Sequence, residues 1–423
     1  MTSRSTEGRS AMTAAPVDIS TLDFWGRHFE ERDEAFARLR AHEPVSWHPP
    51  LEFPDYPDHG EPGFWAVTRV DDIRAVSIDY QTYGSARSFT LRPMLPNDVL
   101  PPTFMKMDPP EQTQYRRIMA SMFTFRAIGR IQDKIVERAR SIIQQVPTTG
   151  EFDFVAHVSA RLPMLMIADF VGVPASLTED FARAGDNVVS MYDPGVLPPG
   201  QTIRDFRRAQ VDVLTEIGVE LVEHRRSHPA HDVATALADA QLQGRPLTRD
   251  EIGSMMLLLS IAGNDTTKQT TSHTVLELAR NPEQRAWLAE DFPGRIDEAI
   301  DEFLRHATPV MNFARIATRD TELAGVPIAA GEKVALFYCS GNRDEAYFPE
   351  PAAFDLQRKP TQHVAFGGGG PHHCLGSSLA KAQLKAIFEE IVLRLPEIEV
   401  VGEPEFLRSH FINGIRELPV RIG

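Results

Sequence analysis

The pattern of apolar and polar positions along the 423-residue chain is helical for most of its length. Phe29, Ala35, Phe36 and Leu39 recur at helical spacing and predict a helix within 24–43. A shorter helix is expected at 70–77, and a helix start at 107–117, where Pro109 and Pro110 precede Glu111 in a first turn. From 126 to 240 the pattern is mostly helical, with breaks at 147–150, Pro174 and 192–200. The longest helix is predicted over 251–278, where Met255, Met256, Leu257, Leu258, Leu259 and Ile261 form a nearly continuous apolar run. Short β-branched and aromatic runs at 45–47, 64–68, 312–317, 326–328 and 334–338 predict strands of a small sheet region. The Pro-rich stretch 85–110 is too long and irregular for a plain linker and is expected to wall a binding site. The first 20 residues carry no apolar core segment and are expected to be a disordered extension ahead of one large domain over 21–423. The sum is a mainly α fold with a minor β region near its amino-terminal end.

Two stretches break this pattern. Inside the long helix, Ala262-Gly263-Asn264-Asp265-Thr266-Thr267 places a glycine, an acid and two β-branched alcohols where a buried helix is expected to be apolar, which predicts a local loosening around a ligand. A cap or a surface patch would show the same residues, but the apolar run before them and the helical run after them argue against a cap. The second stretch is 366–376, Phe-Gly-Gly-Gly-Gly-Pro-His-His-Cys-Leu-Gly, followed by a helical run to residue 395. Four glycines and a proline form neither helix nor strand, so they make a loop whose bare backbone permits close approach.

Cys374 stands where that loop becomes a helix, near unpaired N–H groups and the positive end of the helix dipole, a setting that favours thiolate. A single thiolate suits an iron whose other ligands come from a cofactor, and haem with one Cys ligand suits oxygen activation. The same residues also admit a Gly-rich hairpin around a buried cysteine, or a zinc site from His372, His373 and Cys374, although adjacent residues are poorly placed around one tetrahedral ion.

Composition narrows the class. With two cysteines, Cys339 and Cys374, the chain is no disulfide scaffold and fits a reducing cytoplasm. A net charge of −15 with no basic stripe argues against nucleic-acid binding. The apolar run at 255–262 falls well short of the ~18–20 residues of a membrane span, so a soluble protein without an anchor is expected.

The stretch 366–376 resembles the haem-binding loop of the cytochrome P-450 superfamily, whose pattern Phe366, Gly367, Gly368, His372, Cys374 and Gly376 fill position by position. Further resemblances follow in the family's order. Residues 107–117 resemble its helix C, which implies that Arg116 reaches a haem propionate, while Gln112 stands where the family often has His. Residues 262–267 resemble its oxygen-binding groove, with Ala262 and Gly263 beside the cofactor and Asp265 and Thr266 as an acid and alcohol pair controlling protons. Glu302 and Arg305, with Arg358, resemble its Glu-Arg-Arg triad, and Arg315 matches a second propionate-binding arginine.

The resemblance implies haem b held between the helix containing Asp265 and the loop carrying Cys374, as in soluble bacterial members. The implied activity is insertion of one atom of dioxygen into a hydrophobic aliphatic substrate, and Asn312, 262–268 and 411–420 look like the branch that hydroxylates steroids, methyl-branched or fatty lipids and terpenoids. The alternatives are a macrolide-type tailoring monooxygenase and a haem-thiolate sensor or carrier. Ferredoxin and ferredoxin reductase are the implied electron donors. Arg116, Arg117, Lys381 and Lys385 are expected to form a basic docking patch beneath Cys374. The expected substrate walls are 85–105, 310–313 and 411–412.

Overall fold

The computed structural model describes residues 17–53, 60–92, 103–190, 196–359 and 362–422. Its axis is the helix Arg249–Arg280, which runs without a break through Ala262–Thr267. The expected loosening does not occur, because the hydroxyl groups turn back on the helix: Thr266 Oγ1 donates to the Ala262 carbonyl at 2.9 Å, Thr270 to Thr266 at 3.0 Å and Thr271 to Thr267 at 2.9 Å. Helices Arg161–Val171, Thr178–Ser190, Ile203–Ser227, Phe292–Ala307 and Ser377–Arg394 pack around it. Close approach is bought with small residues. A Cβ at Gly185 would lie 2.2 Å from Ser260 Oγ, one at Gly218 2.3 Å from Met256 Cγ, and one at Gly253 2.3 Å from Thr215 Oγ1.

The helix begins at a capping box, in which Glu251 N–H donates to Thr248 Oγ1 at 3.3 Å and the Thr248 N–H donates back to the Glu251 carboxylate at 2.7 Å. Arg245 donates to both Glu251 oxygens at 2.8 and 2.9 Å, and Tyr115 Oη donates at 2.8 Å. Arg245 first, then the Thr248 and Tyr115 donors, hold the Glu251 carboxyl at about 2 against the opposing effect of burial. A depressed carboxylate contributes stability above its unfolded value and loses it as pH falls toward the folded one. Glu251→Gln is therefore expected to lower stability by about 1 kcal/mol at neutral pH. In urea unfolding, the gap from the unaltered protein should close as pH falls from about 4.5 toward 2; a gap independent of pH would refute the assignment.

The sheet nearest the amino-terminal end places Val45–His48 antiparallel to Phe64–Val67, which pairs in parallel with Lys333–Phe337; Asn312–Ala317 and Tyr83–Gly84 follow, each antiparallel. A second sheet joins Ile398–Val400, Pro419–Ile422 and Glu151–Asp153. The last of these strands lies in a stretch expected to be helical, and it forms because its partner comes from the carboxy-terminal end of the chain. The helix expected over 24–43 is two helices, Leu22–Gly26 and Phe29–His42, divided at Arg27–His28. Residues 17–20, expected to belong to a disordered extension over 1–20, are part of the fold. Ile19 is fully buried in a cluster with Phe24, Trp25 and Phe36, and Trp25 Nε1 donates to its carbonyl at 2.9 Å; residues 1–16 lie outside the described residues. Among the described residues no helix is long and apolar enough to cross a membrane.

Candidate cofactor and active site

The loop before the helix Ser377–Arg394 is shaped by its glycines. Gly367, Gly369 and Gly370 have φ of 93°, 100° and 72°, in the region that glycine adopts without strain. The object that approaches the bare backbone from one side is the helix Val70–Ile78. A Cβ at Gly368 would lie 2.4 Å from Ser77 Oγ, and one at Gly370 2.2 Å from the Ser77 carbonyl. Around Gly367 and Gly376, by contrast, the nearest protein atoms would stand 3.9 Å from an added Cβ. The turn closes through the Cys374 N–H, which donates to the Phe366 carbonyl at 3.0 Å.

Of the two cysteines, Cys374 is accessible, whereas Cys339 is buried in an apolar cluster and its thiol is pushed up to about 12 by that burial. The Cys374 side chain is accessible yet closely surrounded by protein atoms. Burial raises its thiol pKa, against the N–H groups of Gly376 and Ser377 and the charge of Arg116. The expected dipole effect is thus present but outweighed, and a cation on the sulfur would reverse the balance.

Helix Glu111–Ala120 clamps this loop. Arg116 Nη2 donates to the His373 carbonyl at 2.7 Å, and Gln112 Nε2, one turn earlier, donates to the Pro371 carbonyl at 2.8 Å. Gln112 is buried and structural, a role missed from sequence although the i, i+4 spacing to Arg116 signals a shared face. His372 has no hydrogen-bond partner at either ring nitrogen; the Met107 backbone lies near without hydrogen-bond geometry. Burial, then Arg315 and Arg116, push His372 down to about 3. Arg315 is itself buried, with Nη1 on the Ala314 carbonyl at 2.7 Å. Three nitrogen-bearing side chains thus converge with donor capacity that the protein leaves unused.

On the central helix, Leu258, Ala262 and Thr266 are accessible at i, i+4 spacing, Leu258 and Thr266 between buried neighbours and Ala262 exposed between half-buried ones. Leu258 and Ile261 pack on the same apolar core as Phe366 and Leu375 of the loop. The bare side of Gly263 meets Ile167, where a Cβ would lie 2.6 Å from Cδ1, so this glycine lets the two helices pack closely. Asp265 and Thr266 are neighbours in sequence that do not hydrogen-bond each other. Asp265 is buried, with Oδ1 2.6 Å from Lys268 Nζ, and Thr266 turns to Ala262.

The triad is formed. Arg305 grips Glu302 through Nε and Nη2 at 2.6 and 2.7 Å, and Arg358 Nε stands 3.3 Å from Glu302 Oε2. Arg305 also donates to the carbonyls of Asn342 and Pro351 at 2.8 Å, and Asn342 Oδ1 accepts from the Val364 N–H at 2.7 Å. This links the triad to the residues leading into the cysteine loop.

The sequence model of the cytochrome P450 family matches residues 295–403. A methyl-branched lipid omega-hydroxylase of Mycobacterium tuberculosis is 34% identical over 412 residues, 96% of this chain and 94% of that one. The linalool 8-monooxygenase of Pseudomonas putida is 36% identical, covering 92% and 94%. The chain is a cytochrome P450. A Mycobacterium marinum cytochrome P450 solved in complex with pseudoionone superposes with a TM-score of 0.92 at 40% identity, over 98% of this P450 and all of that chain. The protein is accordingly a haem-thiolate monooxygenase of the bacterial type.

The residues of this P450 fit such a cofactor: an accessible cysteine, unpaired donors beside it that suit carboxylates, and an uncovered stripe on the central helix. The expected basic patch, however, is largely neutralised. Lys381 and Lys385 pair with Asp301 and Asp297 at 2.5 and 2.8 Å, and Arg116 is engaged with the loop. Two acids one turn apart on helix Phe292–Ala307 oppose two lysines one turn apart on helix Ser377–Arg394, which leaves Arg117 as the exposed member that forms no ion pair among the described residues.

Proposed function

We propose that this P450 hydroxylates a hydrophobic aliphatic molecule, a methyl-branched or fatty lipid, a steroid or a terpenoid, in the cytoplasm, with electrons from a ferredoxin and its reductase. The carrying observation is an aromatic wall built by three distant segments. Phe313 lies 6.1 Å from Phe89 and 5.4 Å from Phe411, ring centre to ring centre, and backbone bonds join Ala314 to Phe89 and Met311 to Phe411 at 2.8 Å. These are parts of the three expected walls; positions 93–102 of the first lie outside the described residues. Apolar walls with few polar groups suit such substrates. Titrating a lipid, steroid and terpenoid library against the haem absorption band tests the reading, and a response confined to small polar molecules would refute it.

In this reading the Cys374 thiolate would hold the iron of haem b, Phe366, Gly367 and Gly376 would shape the loop around it, and Arg116, His372 and Arg315 would hold the haem carboxylates. Bound haem supplies the oxidising chemistry, using dioxygen and two electrons to place one oxygen atom in the substrate. Ala262 leaves room beside it. Thr266, once released from the Ala262 carbonyl, orients a water at the reacting oxygen, and Asp265 resupplies the proton. Proton delivery of this kind is typically worth ~10²–10⁴-fold. Thr266→Ala should retain haem and substrate binding while diverting reducing equivalents into hydrogen peroxide, and Asp265→Asn should mainly slow turnover. Full coupling in the first with an unchanged rate in the second would reduce both residues to helix packing.

A further inference from the structure

Asp265 belongs to a buried cluster that crosses between helices. Lys268, one turn along the central helix, places Nζ 2.6 Å from Asp265 Oδ1 and 3.5 Å from Asp186 Oδ2 on helix Thr178–Ser190. Asn264 Nδ2 donates to the other Asp186 oxygen at 2.7 Å, and Gln269 Nε2 donates to Asp265 Oδ1 at 3.3 Å. Asp265 Oδ2 and Asn264 Oδ1 are buried without partners. The spacing of the two helices is fixed independently by Gly185 against Ser260 and by the Ser260 Oγ bond to the Phe181 carbonyl at 2.8 Å.

We infer that Asp186 is a positioning residue for Asp265: it shares Lys268 with it, and by drawing on that ammonium sets how readily Asp265 takes up a proton. The inference deepens the proton role proposed above and rests on it. One ammonium serves two carboxylates, so the cluster carries a net negative charge, and each acid weakens the hold of the cation on the other. Accessibility separates them. The Asp265 side chain is 5% exposed and that of Asp186 35%, so solvent reaches the cluster from the Asp186 side. Burial, with Asp265 adding to it, pushes the Asp186 carboxyl up, while the two acids together push the Lys268 ammonium up against its burial and keep it charged. On the other helices packed here, Asp169 pairs with Lys134 and Arg138, Arg225 with Asp232, and Glu302 with Arg305, while Arg207 is the buried cation of helix Ile203–Ser227. On helix Thr178–Ser190 itself, Arg183 is paired with Asp180.

The test is an infrared titration of carboxyl bands in the haem-loaded protein, with the Asp265 band isolated by subtracting the spectrum of Asp265→Asn. Asp186→Asn leaves the ammonium to Asp265 alone and removes a neighbouring negative charge. The Asp265 midpoint should fall by about one pH unit, a tenfold loss of proton affinity. Lys268→Met removes the cation and should move the midpoint up by at least as much, and Lys268→Arg should restore it. Asp186→Ser repeats the first arm with a smaller side chain. A purely structural role predicts lost thermal stability with an unmoved midpoint, and that result, or movement of both variants in the same direction, would overturn the inference. If the midpoints move in opposite directions yet Asp265→Asn turns over at the normal rate, the sharing of Lys268 stands and the proton role of Asp265 falls.

Discussion

Replacing Cys374 with serine should abolish the absorption band that the reduced, carbon monoxide-treated protein owes to its thiolate, and with it the monooxygenase activity. A serine hydroxyl at this position can donate a hydrogen bond, but it does not ionise in the range where a thiol does, so the electron donation that distinguishes a sulfur ligand is lost. No other sulfur of that kind stands ready, because Cys339 is buried in an apolar cluster and held protonated. The N–H groups of Gly376 and Ser377 and the Arg116 charge would remain in the variant, so the comparison isolates the sulfur from its surroundings. An unchanged band would remove Cys374 from the site.

The second large effect is expected at Glu302, far from any reacting atom. Its carboxylate is buried against Arg305 and Arg358 and also accepts from the Asp355 N–H at 2.9 Å. Truncation to alanine strands two buried guanidinium groups, a change that costs about 3–5 kcal/mol when one member of a buried ion pair is removed. Because Arg305 also holds Asn342, which holds Val364, the cysteine loop should loosen with it. Haem retention and the urea midpoint of Glu302→Ala should fall together. A loss below about 1 kcal/mol, the range of exposed ion pairs, would show that the triad is a bystander to the loop. Glu302→Gln, which keeps an acceptor for Asp355, should recover part of the loss.

Much of this was legible in the chain because it is local. Glycines that need positive φ, a cysteine at a loop-to-helix junction and a run of Met and Leu each announce themselves within a dozen residues. The third charge of the triad, Arg358, was placed from its order along the chain, and the fold brings it to Glu302. Pairings across helices were not legible. Asp186 and Lys268 meet only because Gly185 and Ser260 let two helices approach, and nothing at either position alone declares the other. The basic patch failed for the same reason, since a lysine reads as a free charge until its neighbour is known. The spacing was nevertheless available: Asp297 and Asp301 repeat the interval of Lys381 and Lys385. The alcohols of the central helix predict a loosening only while their partners are unknown, since back-bonding to their own helix absorbs their polarity.

The contact between the glycine loop and Ser77 bears on how such proteins can be rebuilt. Gly368 and Gly370 are constrained from the side facing helix Val70–Ile78, where a methyl group would meet a hydroxyl oxygen and a carbonyl oxygen well inside contact distance. A cysteine loop transplanted from a relative with side chains at those two positions would arrive without the helix that makes room for them. Loop and helix are therefore a single exchangeable cassette, although some 290 residues of chain separate them.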